Sequence, residues 1–314
     1  MRVVLRDPAD GSVAGTWEFG AGDGPLLVDL AADGICTAPG REPLGVWVRD
    51  GLVPYPRMTV EVNGRAVEVV SADPVLMARH YAREGHQQRA YAARGNPWIA
   101  AYHLARLRQV RRLLRGVTGL VADVGAGHSL LAAAGPMPFR VVACDLDAEA
   151  VRSMRDRGIA SVVASAGHVP FAAGRFDAVF AGEIVEHLAE PHAALRQWVS
   201  LLRPGGRLVV TTPNRRHLLA RVRGFETVEN PEHLFEWSRD ELHDALVAAG
   251  VVVERIEGLA LPLPVYVPRH GWRDLVQIVP PRVPLPEPLL VRALGAGRRV
   301  PALAMNLAAV AHRP

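Results

Sequence analysis

Hydrophobic positions change their spacing several times along this chain of 314 residues. Before Asp73 they come in short β-prone runs broken by turns. The clearest pair, Met58 to Val62 and Arg65 to Val70, flanks Asn63-Gly64, a dipeptide suited to the positive φ of a two-residue hairpin turn. Between Asp73 and Arg115 the spacing becomes helical, and a break at Gly95-Asn96-Pro97 predicts two segments. The second presents Trp98, Tyr102 and His103 opposite a face of arginines, with Arg106 expected beside His103. From Leu120 to Glu257 apolar runs of strand length alternate with helical stretches. That alternation predicts a parallel, doubly wound sheet, whose ligands gather at the carboxyl ends of its strands.

The punctuation agrees. Ser238-Arg239-Asp240-Glu241 has the form of a capping box that starts a helix, and Gly250 stops it before a strand from Val251 to Ile256. Eight prolines between Pro262 and Pro288 predict a segment too broken for regular core elements, a lid or substrate loop. The tail from Ala302 to His312 is strand-like again. The pattern therefore divides into a small β-rich module (1–72), a helical cap (73–117) and a main domain (118–314) interrupted by the proline-rich stretch 259–301.

Chemistry concentrates in Val121 to Asp147, VADVGAGHSLLAAAGPMPFRVVACDLD. An apolar run enters Asp123-Val124-Gly125-Ala126-Gly127, where missing β-carbons let the backbone turn sharply and approach a ligand. Asp145 lies twenty residues after Gly125, at the end of the next apolar run, where a carboxylate accepts hydrogen bonds from a ribose diol. A dinucleotide site would place a third glycine where Leu130 stands, so that pyrophosphate could sit on the helix N-terminus. Asp123 would repel phosphates and attract the ammonium of an amino-acid moiety. S-adenosylmethionine has that ammonium and no phosphate.

With these residues the chain resembles the class I S-adenosylmethionine-dependent methyltransferases, with Asp123, Gly125 and Gly127 as the glycine motif and Asp145 as the ribose acid. Val169-Pro170-Phe171, Phe176-Asp177-Ala178-Val179 and Leu202-Arg203-Pro204-Gly205-Gly206 follow in the order such proteins show. The resemblance covers about residues 118 to 257 plus the last strand. It implies a Rossmann-like, mostly parallel seven-stranded sheet closed by an antiparallel final strand. It also implies a cofactor site formed by Asp123, Gly125, Gly127, Asp145, Leu146, Ser165, Ala166 and Glu183. Two positions depart from the pattern: Ser129 replaces a third glycine, and Ser165 an acid for the adenine amino group.

Glu183-Ile184-Val185-Glu186-His187 follows the predicted strand Ala178 to Ala181, and its spacing would put two carboxylates and an imidazole on one helical face. Such a face is either a metal site or a catalytic base. The element resembles the Glu-x-x-Glu-His of quinone O-methyltransferases and small-RNA 2′-O-methyltransferases, which implies metal ligation by Glu183, Glu186 and His187. The segment from His233 through Trp237 resembles the one that supplies a further histidine ligand in the RNA enzymes. Mixed oxygen and nitrogen donors suit Mg²⁺, Mn²⁺ or Zn²⁺. Without metal, Glu186, His187 and His233 remain the catalytic candidates, with Glu183 lining the cofactor. Arg215 and Arg216 either overlook the acceptor or belong to a solvated loop. His80, His86, His192, His270 and His312 read as surface residues.

Composition narrows the chemistry further. All 36 basic residues are arginine, which removes Schiff-base and Walker-type lysine chemistry. The net charge of +4 follows from arginine bias as readily as from an anionic partner. No window reaches the apolar length of a membrane span and the first residues lack an apolar signal core, so a cytoplasmic protein without a membrane span is expected. Cys36 and Cys144 form no framework, and Cys144 reads as a buried thiol. The expected activity is O-methyl transfer to a hydroxyl of a glycan, glycosylated metabolite or other secondary metabolite. The rivals are an RNA 3′-terminal 2′-O-methyltransferase, a quinone-pathway O-methyltransferase and a noncatalytic partner subunit on the same fold.

Overall fold

The computed structural model describes residues 2–6, 13–18, 27–29, 45–48, 58–62, 65–71, 97–127, 129–133, 137–224, 233–262, 264–268, 271–274 and 287–314. Two compact units are present. The N-terminal one holds a six-stranded antiparallel sheet of β1 (Arg2–Arg6), β2 (Val13–Glu18), β3 (Leu27–Asp29), β4 (Gly45–Val48), β5 (Met58–Val62) and β6 (Arg65–Ser71) in the order β2-β1-β5-β6-β4-β3. The hairpin expected around Asn63-Gly64 joins β5 to β6, with Val62 opposite Arg65.

The second unit begins with α1 (Pro97–Leu113) and is built on seven strands: β7 (Gly119–Val124), β8 (Phe139–Asp145), β9 (Ala160–Val163), β10 (Phe176–Gly182), β11 (Leu202–Pro213), β12 (Val252–Leu259) and β15 (Asn306–His312). Their order is β12-β15-β11-β10-β7-β8-β9. The pairings from β11 through β9 are parallel, and β15 runs antiparallel to both β11 and β12. The order reverses between β7 and β10, which start the two halves, and this is the switch point where ligands sit in open α/β sheets. Helices α2 (Leu130–Ala133), α3 (Ala148–Asp156), α4 (Pro191–Leu201), α5 (Leu218–Arg223) and α6 (Arg239–Ala248) connect the strands.

Strands covered by helices read as continuous apolar runs, and β7 ends in four buried residues. Leu113 and Leu114 of α1 and its end pack with Val121, Phe180, Val209 and Val310 from four strands. Fully burying a leucine or phenylalanine of this kind contributes about 1.5–3 kcal/mol. The other half of α1 puts Ala101 and Ala105 against Leu259, Val291 and Leu294. Gln109 donates to the Gly258 carbonyl at 3.1 Å, and Arg112 pairs with Glu257. Helix α6 starts with the expected capping box, in which Ser238 accepts from the Glu241 amide and the Glu241 side chain accepts from the Ser238 amide.

The proline-rich stretch departs from expectation. It contains the hairpin β13 (Pro264–Val267) and β14 (Gly271–Asp274), and the helix α7 (Glu287–Gly295). Proline is compatible with all three because Pro264 opens a strand and Pro288 lies in the first turn of a helix, where a missing N–H breaks no internal bond. The first predicted helical segment before Gly95 lies outside the described residues. No helix among the described residues is long and apolar enough to cross a membrane.

Candidate functional site

Two turns leave the carboxyl ends of the neighbouring strands β7 and β10, whose residues Val124 and Ala181 are register partners. After β7 the chain turns left-handed at Gly125 (φ 63°), Gly127 (φ 53°) and Ser129 (φ 55°). A β-carbon on Gly125 would lie 2.4 Å from Ile184 Cγ1. The glycine is therefore enforced first by the neighbouring turn, where the sequence suggested collision with a ligand.

Asp145 closes this turn from β8. Its Oδ2 accepts from the Gly127 amide at 2.6 Å and its Oδ1 from the Asp147 amide at 2.8 Å. Both carboxylate oxygens thus hold backbone amides of the turn. Asp123 at the end of β7 is 1% exposed. Ser129 Oγ donates to its Oδ2 at 2.6 Å. Burial and then the nearby Asp145 charge push the Asp123 carboxyl up to about 7, against the opposing effect of the Ser129 bond. Cys144, also buried, has its thiol pushed up to about 12, chiefly by burial.

The outer wall comes from residues after β8 and β9. Leu146 is half-buried just before Asp147, the N-cap of α3. Ser165 Oγ accepts from the Gly167 amide at 3.2 Å. Ala166 is buried, and its carbonyl accepts from Trp198 Nε1 at 2.9 Å. Val169 exchanges hydrogen bonds with the Gln197 side chain, so α4 fixes the segment that carries Ser165 and Ala166.

The second turn corrects the helical-face expectation. Glu183 adopts φ 55°, and only Val185–His187 form a 3-10 turn. A left-handed residue followed by so short a turn cannot align Glu183 with Glu186 and His187. Instead Glu183 Oε2 accepts from Asn306 Nδ2 at 2.7 Å, and its Oε1 lies 4.0 Å from Arg106 Nη2. Tyr102 donates to Asn306 Oδ1 at 2.8 Å, and Arg106 sits 5.9 Å over the Tyr102 ring. Burial, then the Glu183 charge, pushes the Tyr102 hydroxyl well up. Arg106 thus serves Tyr102 and Glu183. His103 is exposed.

Glu186 is fully buried. Its Oε2 accepts from Thr212 Oγ1 at 3.0 Å, while Oε1 has no hydrogen-bond partner among the described residues. Burial first, and Glu183 second, push this carboxyl upward. The His187 and His233 rings meet edge to face at 5.0 Å between centroids. Glu186, His187 and His233 each offer a ligand atom within 4.8 Å of the others. Glu183 stands outside that group. Such a donor set, one carboxylate with an unpartnered buried oxygen and two imidazoles, fits the mixed oxygen and nitrogen shell of a divalent cation.

Arg215 pairs with Glu241, and Arg216 is exposed with its amide bonded to Asn214 Oδ1 at 3.0 Å. His192 is exposed beside Trp237, and His312 lies 3.5 Å from Glu254. His80, His86 and His270 lie outside the described residues. Sequence reasoning missed Asn306 and Thr212. Asn306 opens β15 as a polar residue before an apolar run, a weak local signal, and Thr212 has none, since it reads as one more β-branched strand residue.

Residues 122–210 match the family of methyltransferase domains. This chain carries a class I S-adenosylmethionine-dependent methyltransferase domain. A ubiquinone biosynthesis O-methyltransferase of Xanthomonas axonopodis is 34% identical over 142 residues, which make up 40% of this chain and 59% of that protein. A probable S-adenosylmethionine-dependent methyltransferase of Mycobacterium tuberculosis is 30% identical over 167 residues, 52% of this chain and 59% of that one. The chain thus spans 59% of the length of these curated relatives. A chain of the complex containing the Haloferax volcanii Trm112 methyltransferase activator shares the fold. Its TM-score is 0.51 at 20% identity, covering 76% of this chain and 97% of that one.

Proposed function

We propose that the protein is an S-adenosylmethionine-dependent O-methyltransferase that activates its acceptor hydroxyl at Glu186, His187 and His233. The acceptor is a hydroxyl of a glycan, glycosylated metabolite or other secondary metabolite. The observation that carries this reading is the grouping of those three donors within 4.8 Å, with Glu186 and His187 on a turn whose Ile184 abuts Gly125 and His233 from the segment before the Ser238 cap. The contact between the two turns supports acceptor chemistry beside the glycine turn.

When bound, S-adenosylmethionine supplies a sulfonium methyl that is already a good electrophile, so the acceptor is what needs help. The chain's own residues would do the rest. Asp145 accepts from the ribose, Asp123 faces the ammonium, Gly125 and Gly127 admit close backbone approach, and Leu146, Ser165 and Ala166 line the nucleoside. Transfer would join the acceptor oxygen to the methyl carbon while the sulfur–carbon bond breaks and its electron pair stays on sulfur. His187 or His233 takes the acceptor proton as general base. A divalent cation held by Glu186, His187 and His233 would supply Lewis-acid lowering of the hydroxyl pKa. Glu183 shapes the turn from its bonds to Asn306 and Arg106.

The similarity to ubiquinone O-methyltransferases favours a second reading, in which the acceptor is a phenolic quinone precursor. Following labelled methyl from S-adenosylmethionine into organic-soluble, glycan and nucleic-acid fractions of an extract separates these acceptors. Under the proposal, chelator abolishes transfer, Mg²⁺ or Mn²⁺ restores it, and Glu186→Ala or His187→Ala loses at least about 100-fold. Turnover unchanged in chelator removes the cation, and full activity in both variants removes the site.

A further inference from the structure

Four arginines gather where β11 ends and β15 begins, at the same end of the sheet as Glu186. Arg216 and Arg221 lie on the loop and helix α5 that follow Pro213, and Arg298 and Arg299 end the 3-10 turn Ala296–Arg299 ahead of β15. All four are exposed. Hydrogen bonds sew the two segments together. Asn214 Nδ2 donates to the Pro301 and Ala304 carbonyls at 3.2 and 2.8 Å, and the Leu218 amide to the Leu303 carbonyl at 3.0 Å. Arg221 ties them again with its own guanidinium, donating from Nε to the Arg216 carbonyl at 2.7 Å and from Nη2 to the Ala302 carbonyl at 3.1 Å. Those bonds hold its plane and leave its other N–H groups for a further acceptor.

No carboxylate among the described residues pairs with any of the four, whereas the adjacent Arg215 is spent on Glu241, and Arg203, Arg239 and Arg255 each meet an acid. Arginines without an acid also stand singly, as Arg196 does on α4. What differs here is the grouping. Like charges held together repel one another unless an anion joins them, most of all at low ionic strength. The group also borders the candidate site. Thr212, four residues before Arg216, donates to Glu186 at 3.0 Å, and that length of chain spans at most about 14 Å.

We propose that these arginines bind a phosphate carried by the acceptor, so that the substrate is a phosphorylated small molecule such as a sugar phosphate, its hydroxyl at Glu186 and its phosphate on Arg216, Arg221, Arg298 and Arg299. This rests on the reading of Glu186 and its neighbours as the acceptor site. Phosphate is favoured over carboxylate because its oxygens accept from several guanidinium groups at once, in the paired geometry that arginine offers. A nucleic acid is disfavoured because backbone binding calls for basic groups along a track of successive phosphates, and these arginines come from two short segments.

The test has two arms, both on the full chain. In the first, inorganic pyrophosphate is titrated calorimetrically at low salt. Wild type is expected to bind it saturably, and the double variant Arg221→Gln/Arg298→Gln at least about tenfold more weakly. The control Arg255→Gln should match wild type, and all three proteins should bind S-adenosylhomocysteine alike. In the second arm, labelled methyl is followed into a cell extract with and without phosphatase pretreatment. The labelled product is expected to be a small molecule retained on anion exchange, and pretreatment should remove most of the label. Equal pyrophosphate affinity in wild type and the double variant, a neutral product indifferent to phosphatase, or label recovered in RNA overturns the proposal. Each of these leaves the acceptor site standing as long as transfer still depends on Glu186. Transfer that is absent in wild type, or undiminished in Glu186→Ala, overturns the site and the proposal together.

Discussion

The turns after β7 and β10 both leave the sheet through left-handed residues, yet they treat buried charge in opposite ways. After β7, Asp123 is satisfied by its immediate neighbourhood: Ser129 stands six residues away and donates at 2.6 Å. After β10, Glu183 is held by Asn306 from the far end of the chain, and Glu186 keeps one oxygen without a hydrogen-bond partner among the described residues. The first turn is held from close by, through Ser129, Asp145 and the abutting Ile184. The second is anchored from a distance and keeps a buried carboxylate beside two imidazoles.

Breaking the first turn is expected to have the largest effect. In Gly125→Val the new β-carbon meets Ile184 at 2.4 Å in a left-handed conformation. The expected cost is above about 2 kcal/mol, read as a lower unfolding midpoint, together with loss of cofactor binding. Native stability in this variant would mean that the two turns do not constrain each other. A smaller effect is expected from Asn306→Ala, which cuts the bridge between Tyr102 and Glu183. Thermal unfolding should report a loss of about 1–3 kcal/mol, with methyl transfer falling more than cofactor affinity. Equal losses of both would mean that Glu183 serves the cofactor and not the shape of the second turn.

The same contrast explains what could be read from the sequence. The mostly parallel sheet and the glycine turn were legible because glycine requirements, apolar runs and the Gly125-to-Asp145 interval are local. Glu183, Glu186 and His187 were expected on one helical face, and that face is absent, because Glu183 is left-handed and only Val185–His187 form a 3-10 turn. Whether a strand runs into a helix or into a left-handed residue depends on contacts such as the one from Glu183 to Asn306, 123 residues apart. The proline-rich stretch was misjudged for a related reason. Proline excludes helix and strand interiors, and Pro264 and Pro288 stand at element starts, where it excludes nothing. Thr212, which supports Glu186, looks in sequence like one more β-branched strand residue.

The central claim is that the β7 turn and Asp145 hold S-adenosylmethionine beside the second turn. Calorimetric titration of S-adenosylmethionine into wild type and Asp145→Ala, with both shown folded by thermal unfolding, addresses it most directly. The expected result is saturable one-to-one binding by wild type and a loss of affinity of about tenfold or more in the variant, corresponding to at least about 1.4 kcal/mol. Equal affinity in the two proteins would contradict the claim.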